Sequence, residues 1–325
     1  MRFTKTLAAA LISSAGALTS LHTQAAELQV VTSLKPLELL VRAIADDKTE
    51  VTSLVPPGAS PHTYQMRPSQ RRLLEEADRI FWVGPDMETF LVRLLAGEEF
   101  SGRQVALAKA SEDGHHDDHD TENSHEPAAV YHDEHDAHEE SGHHDHDHGD
   151  GEDPHIWIDP ELALTMAHDI HDQLAQLPGV DTNVLDANLA RFESNLQATE
   201  LDIRARLAAA QGISLFTYHD AFRRFAEHYG LEIAGVLTLN PERSPGARHM
   251  AELQQQLKAS PSPCLLTEPQ FNRQWWHSIT QGIDIRVATW DPLASDIDSS
   301  ATGYLEFQQS MATAVLSCLP EQAQH

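Results

Sequence analysis

An alternation of short apolar strands with helical segments occurs twice along this chain, and it constrains the fold more than any other feature. The first run covers residues 28–107 and the second covers residues 213–318. Residues 51–55 are a typical strand, because four of the five are apolar or β-branched and the run ends at two prolines and a glycine. Strands that alternate with helices of about ten residues form βαβ units and mainly parallel sheets. The sequence therefore predicts an α/β fold in two halves.

The stretch between the two runs, residues 182–211, contains neither Pro nor Gly. Its apolar residues recur at spacings of three, four and seven, which is typical of one face of a helix. They are Leu185, Leu189, Phe192, Leu196, Ile203 and Leu207. A helix of this length spans about 45 Å, which exceeds what one compact domain needs. We expect it to join an N-terminal lobe (residues 26–181) to a C-terminal lobe (residues 212–325), with a ligand site between the lobes. An ordinary surface helix is the alternative.

The acidic charge of the chain is concentrated in one segment. Among 325 residues, 50 are acidic and 22 are basic, which gives a formal net charge of −28. Residues 112–153 hold 17 of the acids, 11 of the 21 histidines and no Lys or Arg, so the remaining residues carry −11. Because such an acidic surface repels phosphate, the composition argues against a nucleic-acid-binding protein.

Segment 112–153 has too few apolar residues to bury a core, so we expect a disordered, mobile insert within the N-terminal lobe. Imidazoles beside carboxylates in such a loop can capture several metal ions weakly. The other interpretation is a solvated acidic spacer whose histidines bind nothing specific. The histidines that we assign to weak secondary metal sites are His115, His116, His119, His143, His144, His146 and His148.

The first 25 residues have the pattern of a signal peptide for export. Arg2 and Lys5 precede an apolar run over residues 7–18, and Ala25 ends a small-x-small cleavage motif. We expect the mature protein to begin near Ala26 and to lie outside the cytoplasm. No cysteine stands at the end of the apolar run, which argues against a lipid anchor, and no other stretch reaches the roughly 20 apolar residues of a membrane span.

Cys264 and Cys318 are the only cysteines. In an oxidising compartment, two cysteines without a third competitor most simply form one disulfide. The alternative, a thiolate metal site, needs more ligands nearby than two distant cysteines supply. A disulfide that closes a loop of about 55 residues stabilises the folded state by roughly 4 kcal/mol.

Four residues stand in strand-end loops, where open α/β sheets bind their ligands. His62 follows a predicted strand, His155 begins an apolar Ile-Trp-Ile fragment, and His219 lies where a strand gives way to a helix. Asp291 ends another strand directly before Pro292, a position where aspartate often serves a turn. Three imidazoles and one carboxylate make a nitrogen–oxygen ligand set that suits zinc.

Five motifs, spread over essentially the whole chain after the predicted signal peptide, occur in an order that resembles one known family. They are Pro57-Gly-Ala-Ser-Pro-His62-Thr-Tyr64, Val83-Gly-Pro-Asp-Met-Glu88, Asp153-Pro-His155-Ile-Trp157-Ile-Asp-Pro160, Tyr218-His219-Asp220-Ala221 and Trp290-Asp291-Pro292. The family is that of the periplasmic metal-binding proteins of ABC importers for zinc and manganese, the cluster A-I solute-binding proteins.

This resemblance implies two (β/α) lobes joined by a rigid helix, with the metal bound between the lobes. The three histidine ligands of the family carry over onto His62, His155 and His219. The insert rich in His and acidic residues, together with the cysteine pair, resembles the zinc-specific, ZnuA-type branch.

The fourth ligand position stays open between Asp291 and water. Manganese members of the family place an aspartate where Asp291 stands, whereas some zinc members use water or a glutamate directly before the first histidine. Pro61 precedes His62 in this sequence, so the glutamate is absent. A set rich in imidazole favours zinc over manganese, which prefers oxygen ligands.

We therefore expect a periplasmic, monomeric binding protein that hands Zn²⁺ to the inner-membrane permease of an ABC importer by ligand exchange, without catalysis. A manganese or iron component of the same importer family is the nearest alternative. A secreted zinc hydrolase would typically carry H-E-x-x-H, which this sequence lacks. An adhesin role is a further alternative for relatives, but the expected lack of an anchor argues against it.

Deletion of residues 112–152 should leave the fold and one tight zinc site intact while removing the weaker sites, because the insert is expected outside both lobes. Isothermal titration calorimetry of the deletion variant and its parent measures both quantities. Loss of the tight site, or an unchanged total number of bound ions, would contradict the role assigned to the insert.

Overall fold

The computed structural model of the protein describes residues 28–108, 153–238, 246–271 and 274–320. The predicted signal peptide (residues 1–25) and the predicted insert as far as residue 152 lie outside the described residues. The predicted α/β class is confirmed, because the chain forms two parallel sheets surrounded by helices. Within the described ranges, every helix is too short or too polar to cross a membrane.

The N-terminal sheet contains the strands β1 (Leu28–Thr32), β2 (Thr49–Ser53), β3 (Arg79–Trp82) and β4 (Gln104–Ala106). All of them are parallel, in the order β2-β1-β3-β4. The helices of this half are α1 (Lys35–Ile44), α2 (Pro68–Glu76), α3 (Thr89–Leu95) and α4 (Pro160–Ala175). Thr32 pairs with Ser53 on one side and with Phe81 on the other, so the strands end nearly level and their following loops share one edge.

The C-terminal sheet repeats this topology. Its strands are β5 (Ser214–His219), β6 (Ile233–Thr238), β7 (Pro263–Thr267) and β8 (Arg286–Thr289). They are parallel in the order β6-β5-β7-β8. The helices of this half are α6 (Arg223–Tyr229), α7 (Ala247–Ala259), α8 (Gln274–Thr280) and α9 (Gly303–Leu316).

The long helix between the sheets, predicted for residues 182–211, is α5 (Thr182–Leu207), and a 3₁₀ turn at Ala208–Ala210 extends it. Asp181 caps its first turn by accepting a hydrogen bond from the backbone N–H of Asn183 at 3.1 Å. Five of its six predicted apolar positions are buried, and Leu189 packs at the edge of the same core. The spacing therefore identified the buried face of the helix.

Helix α9 belongs in sequence to the predicted C-terminal lobe, but it packs against α1 and α5 as well. A Cβ atom built on Gly303 would lie 2.7 Å from Leu39 Cδ2, so only glycine allows this approach of α9 to α1. Side chains from both halves share one continuous apolar core. The two halves are thus joined by α5 and also by the last helix crossing back.

Cys264 and Cys318 form the expected disulfide across a sequence separation of 54 residues. Cys264 lies in β7, and Cys318 follows the end of α9. Both cysteines are buried. The bond therefore fixes the end of α9 to the C-terminal sheet, while the start of α9 packs on the N-terminal half.

Removal of this bond in a Cys264→Ala/Cys318→Ala variant should lower the Tm by roughly 5–10 °C, since the lost loop constraint amounts to about 4 kcal/mol at most. Zinc affinity should change little, because Cys264 lies near the start of β7 and the candidate ligands of the C-terminal half lie at the opposite ends of the strands. Differential scanning calorimetry and zinc titration check both expectations. Two free thiols in the unfolded, unreduced parent would contradict the disulfide.

Candidate metal centre

Three of the predicted ligands converge in the cleft between the two halves. His62 lies in the loop after β2, His155 directly precedes a 3₁₀ turn at Ile156–Ile158, and His219 is the last residue of β5. One ring nitrogen from each histidine lies within 4.8 Å of the other two. In the part of the chain that the structure describes, no other group of three His, Cys, Asp or Glu residues has this geometry.

The spacing of two of the ring nitrogens matches zinc coordination. The Nε2 atoms of His155 and His219 are 3.4 Å apart. Two imidazole nitrogens on a tetrahedral zinc ion, each at about 2.0–2.1 Å, are separated by about 3.3–3.4 Å. The two rings thus stand where a shared zinc ion would hold them.

A carboxylate lies behind each of these two imidazoles. Asp153 Oδ1 is 2.6 Å from His155 Nδ1, and Glu268 Oε1 is 2.7 Å from His219 Nδ1. Each carboxylate holds a proton on Nδ1, which leaves the lone pair on Nε2. The two Nε2 atoms face each other at 3.4 Å, and a cation between them would accept a lone pair from each.

Burial controls the protonation of the cluster. Burial and the neighbouring imidazoles His155 and His219 lower the pKa of His62 to about 3. Burial also lowers the pKa of His155, against the opposing effect of Asp153. At His219 burial lowers the pKa, but Glu268 and further carboxylates outweigh it, so the net shift is upward. His62 and His155 are therefore neutral at pH 7 and can each offer a lone pair to a cation.

A small cavity with a volume of about 10 Å³ lies beside the histidines. Trp157, Phe271, Pro292 and Leu293 supply much of its wall. The ring centroid of Trp157 is 5.3 Å from that of His155, and the centroid of Phe271 is 5.6 Å from that of His219. These apolar walls exclude water from the imidazoles and so strengthen electrostatic interactions with a bound ion.

The C-terminal half holds the backbone on which His155 stands. Tyr304 donates its hydroxyl to the carbonyl of Trp157 at 2.9 Å, and Gln308 donates to the carbonyl of Ile158 at 3.0 Å. The Trp157 indole donates in turn to the carbonyl of Pro292 at 2.7 Å. The 3₁₀ turn after His155 is thus fixed by residues far away in sequence.

Asp153 is also fixed across the cleft. Arg224, at the start of α6, donates from Nε to the backbone carbonyl of Asp153 at 3.0 Å, and this Nε lies 3.5 Å from Asp153 Oδ2. The carboxylate that orients His155 is therefore held by an arginine from the other half.

Asp291, the fourth predicted ligand, is not brought into the cluster. Its Oδ1 accepts hydrogen bonds from Gln270 Nε2 and from the backbone N–H of Leu293 at 2.9 Å, and its Oδ2 accepts from the N–H of Ser295 at 2.7 Å. This is turn chemistry, in which an aspartate before proline satisfies the backbone donors that follow it. The strand-end rule placed Asp291 near the site, but local donors use its oxygens.

Sequence reasoning missed Asp153 and Glu268. Asp153 was counted as the last residue of the acidic insert, although it lies only two residues before His155. Glu268 directly follows β7, so the strand-end rule that selected His219 applies to it equally. The histidines assigned to weak metal sites, from His115 to His148, lie outside the described residues.

A sequence model of the family described as "Zinc-uptake complex component A periplasmic" matches residues 30–318. The chain belongs to this family. The "High-affinity zinc uptake system protein ZnuA" of Yersinia pestis is 37% identical over 306 residues, which cover 90% of this chain and 92% of that protein. The protein of the same name from Haemophilus ducreyi is 34% identical over 309 residues, which cover 92% of this chain and 96% of that protein.

Solved structures with a similar fold include a crystal structure of ZnuA, with a TM-score of 0.66, 23% identity and coverage of 89% of this chain and 99% of that one. The solute-binding protein FpvC of Pseudomonas aeruginosa in complex with Mn²⁺ has a TM-score of 0.69 and 21% identity, with coverage of 91% of this chain and 99% of that one. At these identities the likeness concerns the fold alone.

An Arg224→Leu variant should weaken zinc binding by about tenfold, because loss of a group that orients a ligand typically costs that much. Arg223→Leu is the matched control, since Arg223 lies next to it on α6 and pairs instead with Asp220 on the partly exposed surface. Chelator competition at one equivalent of zinc measures both affinities. Equal losses in the two variants would show that the effect is one of net charge rather than of Asp153 geometry.

Proposed function

We propose that this protein is the zinc-binding component of an ABC importer. In this proposal it captures one Zn²⁺ ion outside the cytoplasm, with His62, His155 and His219 as protein ligands, and hands the ion to a membrane permease. Family membership supports the role in zinc uptake, and the relatives named above are described as parts of zinc uptake systems. The paired Nε2 atoms of His155 and His219, 3.4 Å apart, are the observation that carries the choice of ligand.

The donor set supports zinc as the cargo rather than manganese. All three clustered donors are imidazole nitrogens, and Asp291, the oxygen ligand expected for a manganese site, is engaged in its turn. Imidazole suits zinc, whereas manganese prefers carboxylate, carbonyl and water oxygens. We therefore place a manganese or iron role second.

Charge balance supports binding of a divalent cation. Asp153 and Glu268 contribute two negative charges directly behind the imidazoles, and both residues are largely shielded from solvent. A Zn²⁺ ion between the histidines neutralises these two charges. Burial of two carboxylates together with a divalent cation costs far less free energy than burial of the carboxylates alone.

The proposed chemistry is ligand exchange, with no covalent bond of a substrate made or broken. His62 and His155 come from the N-terminal half and His219 comes from the C-terminal half, so a bound ion joins the two halves. We propose further that residues 26–181 and 212–325 act as the two lobes, that the protein is a periplasmic monomer after removal of residues 1–25, and that the permease receives the ion from the cleft.

The ligand assignment predicts unequal effects of histidine substitutions. His62→Ala, His155→Ala and His219→Ala should each weaken the tight zinc site by orders of magnitude, and His219→Ala should also remove the only imidazole that the C-terminal half contributes. His168→Ala is the matched control, because His168 lies on α4 and pairs with Glu193 at 2.9 Å, away from the cleft. Competition with a strong chelator at one equivalent of zinc isolates the tight site from weaker ones. A His219→Ala variant that binds zinc as tightly as the parent would refute the cleft site.

A further inference from the structure

One of the five sequence motifs, Val83-Gly-Pro-Asp-Met-Glu88, supplies no ligand to the cluster of histidines. Its last residue, Glu88, is fully buried directly before α3. The Glu88 carboxyl accepts hydrogen bonds from the hydroxyl of Ser33 and from the backbone N–H groups of Val83 at 3.1 Å and Gly84 at 2.9 Å. Ser33 directly follows β1 and Val83 directly follows β3, so one carboxyl joins the ends of two neighbouring strands.

Donors rather than a cation surround this carboxyl. The partners of Glu88 in the described ranges are one hydroxyl and two backbone N–H groups. Burial raises the pKa of Glu88 to about 7, although the hydrogen bonds from Ser33, Gly84 and Val83 act in the opposite direction. Because a buried acid without a cation is unfavourable in its charged form, Glu88 holds the two strand ends in place at a cost in free energy.

A first set of contacts leads from Glu88 to the start of the loop that carries His62. The backbone N–H of Ser33 donates to the carbonyl of Phe81 at 2.9 Å, and the carbonyl of Ser33 accepts from the N–H of Val55 at 3.0 Å. At Val55 the chain leaves the sheet and runs toward His62, seven residues further on. By binding the Ser33 side chain, Glu88 therefore fixes the backbone from which this loop starts.

A second set of contacts leads from Glu88 to the other side of His62. Glu88 is the N-cap residue of α3, and Phe90 lies in the first turn of that helix. The ring centroid of Phe90 is 5.3 Å from that of Tyr64, in an edge-to-face arrangement that is favourable for aromatic pairs. Tyr64 lies two residues after His62. The start of α3 therefore supports the end of the His62 loop.

Gln70 of α2 connects the two ends of this loop. Its Oε1 accepts from the hydroxyl of Tyr64 at 2.8 Å, and its Nε2 donates to the carbonyl of Leu54. Leu54 comes before the loop and Tyr64 comes at its end, so one side chain binds both. The segment that contains His62 is thus held on both sides.

We propose that Glu88 is a positioning residue for His62. It acts from the ends of β1 and β3, through Ser33 on one side of the His62 loop and through Phe90 on the other side. This inference rests on the proposed function, because it treats His62 as a ligand of the bound ion.

The effect of Glu88 should be specific for one of the three histidines. The turn after His155 is held by hydrogen bonds from α9, and His219 Nδ1 lies 2.7 Å from Glu268 Oε1. None of these hydrogen bonds involves Glu88. A change at Glu88 should therefore alter His62 while His155 and His219 keep their places.

Glu88→Gln tests this assignment, because an amide keeps the size of the carboxyl but turns its NH₂ group toward one of the two backbone N–H donors. Nuclear magnetic resonance of the histidine ring nitrogens, in the ¹⁵N-labelled full chain with one equivalent of zinc, gives the decisive measurement. The His62 signals, identified by their loss in His62→Ala, should shift or broaden while those of His155 and His219 stay in place. Zinc affinity, measured by chelator competition, should fall by about three- to tenfold, which is no more than the loss expected for a direct partner of a ligand.

Glu38→Gln is the matched control. Glu38 is also a buried carboxylate of the N-terminal half, but it lies on α1 and pairs with Arg42 at 2.8 Å. This variant should lower the Tm and yet leave the His62 ring signals unchanged and the zinc affinity within twofold of the parent. A general loss of stability is thereby distinguished from a loss of His62 geometry.

Ser33→Ala and Phe90→Leu each remove one set of contacts and keep the carboxyl, so they decide the proposal even if Glu88→Gln does not fold. Each should alter the His62 ring signals more than those of the other two histidines. His62 signals identical to the parent in all folded variants, or equal changes at all three histidines, would overturn the proposal. If zinc does not alter the His62 ring signals of the parent, the proposed function fails instead.

Discussion

The hydrogen bonds that fix the short turn after His155 are the constraint on which the metal centre depends. Tyr304 and Gln308 of the last helix donate to the carbonyls of Trp157 and Ile158, and the Trp157 indole donates to the carbonyl of Pro292. His155 therefore stands on N-terminal backbone that is held by the C-terminal half. Its distance from His219 is set by packing between the two halves, so the spacing of the candidate ligands is fixed by the fold itself.

The same packing also places negatively charged side chains behind the imidazoles of the site. Three imidazoles meet in the cleft, and two carboxylates that are largely shielded from solvent lie behind two of them. Each carboxylate lies against the rear nitrogen of an imidazole, and a divalent cation at the front would be balanced by their negative charge. Arg224 supports one of these carboxylates from across the cleft. The contacts that orient the imidazoles are thus the same ones that supply negative charge to the site.

Local signals in the sequence were sufficient to predict the helices and strands and to select the three histidines that the fold brings together. The apolar spacing of residues 182–211 identified the buried face of α5, and the strand-end rule selected His62, His155 and His219. The same rule could not separate Asp291 from Glu268, because both residues follow a strand and precede a proline. Which carboxylate faces the imidazoles depends on the backbone donors beside Asp291, and these donors exist only once the turn has formed. The return of α9 to the N-terminal half depends on packing at Gly303, which no periodicity reveals.

The most direct test of a three-histidine zinc centre across the cleft is anomalous diffraction at the zinc edge from crystals loaded with one equivalent of zinc. We predict one dominant peak between the two halves, about 2.0–2.1 Å from a ring nitrogen of His62 and from the Nε2 atoms of His155 and His219. A dominant peak that lacks any one of these histidines, or that is bound directly by Asp291, would contradict this description of the metal centre.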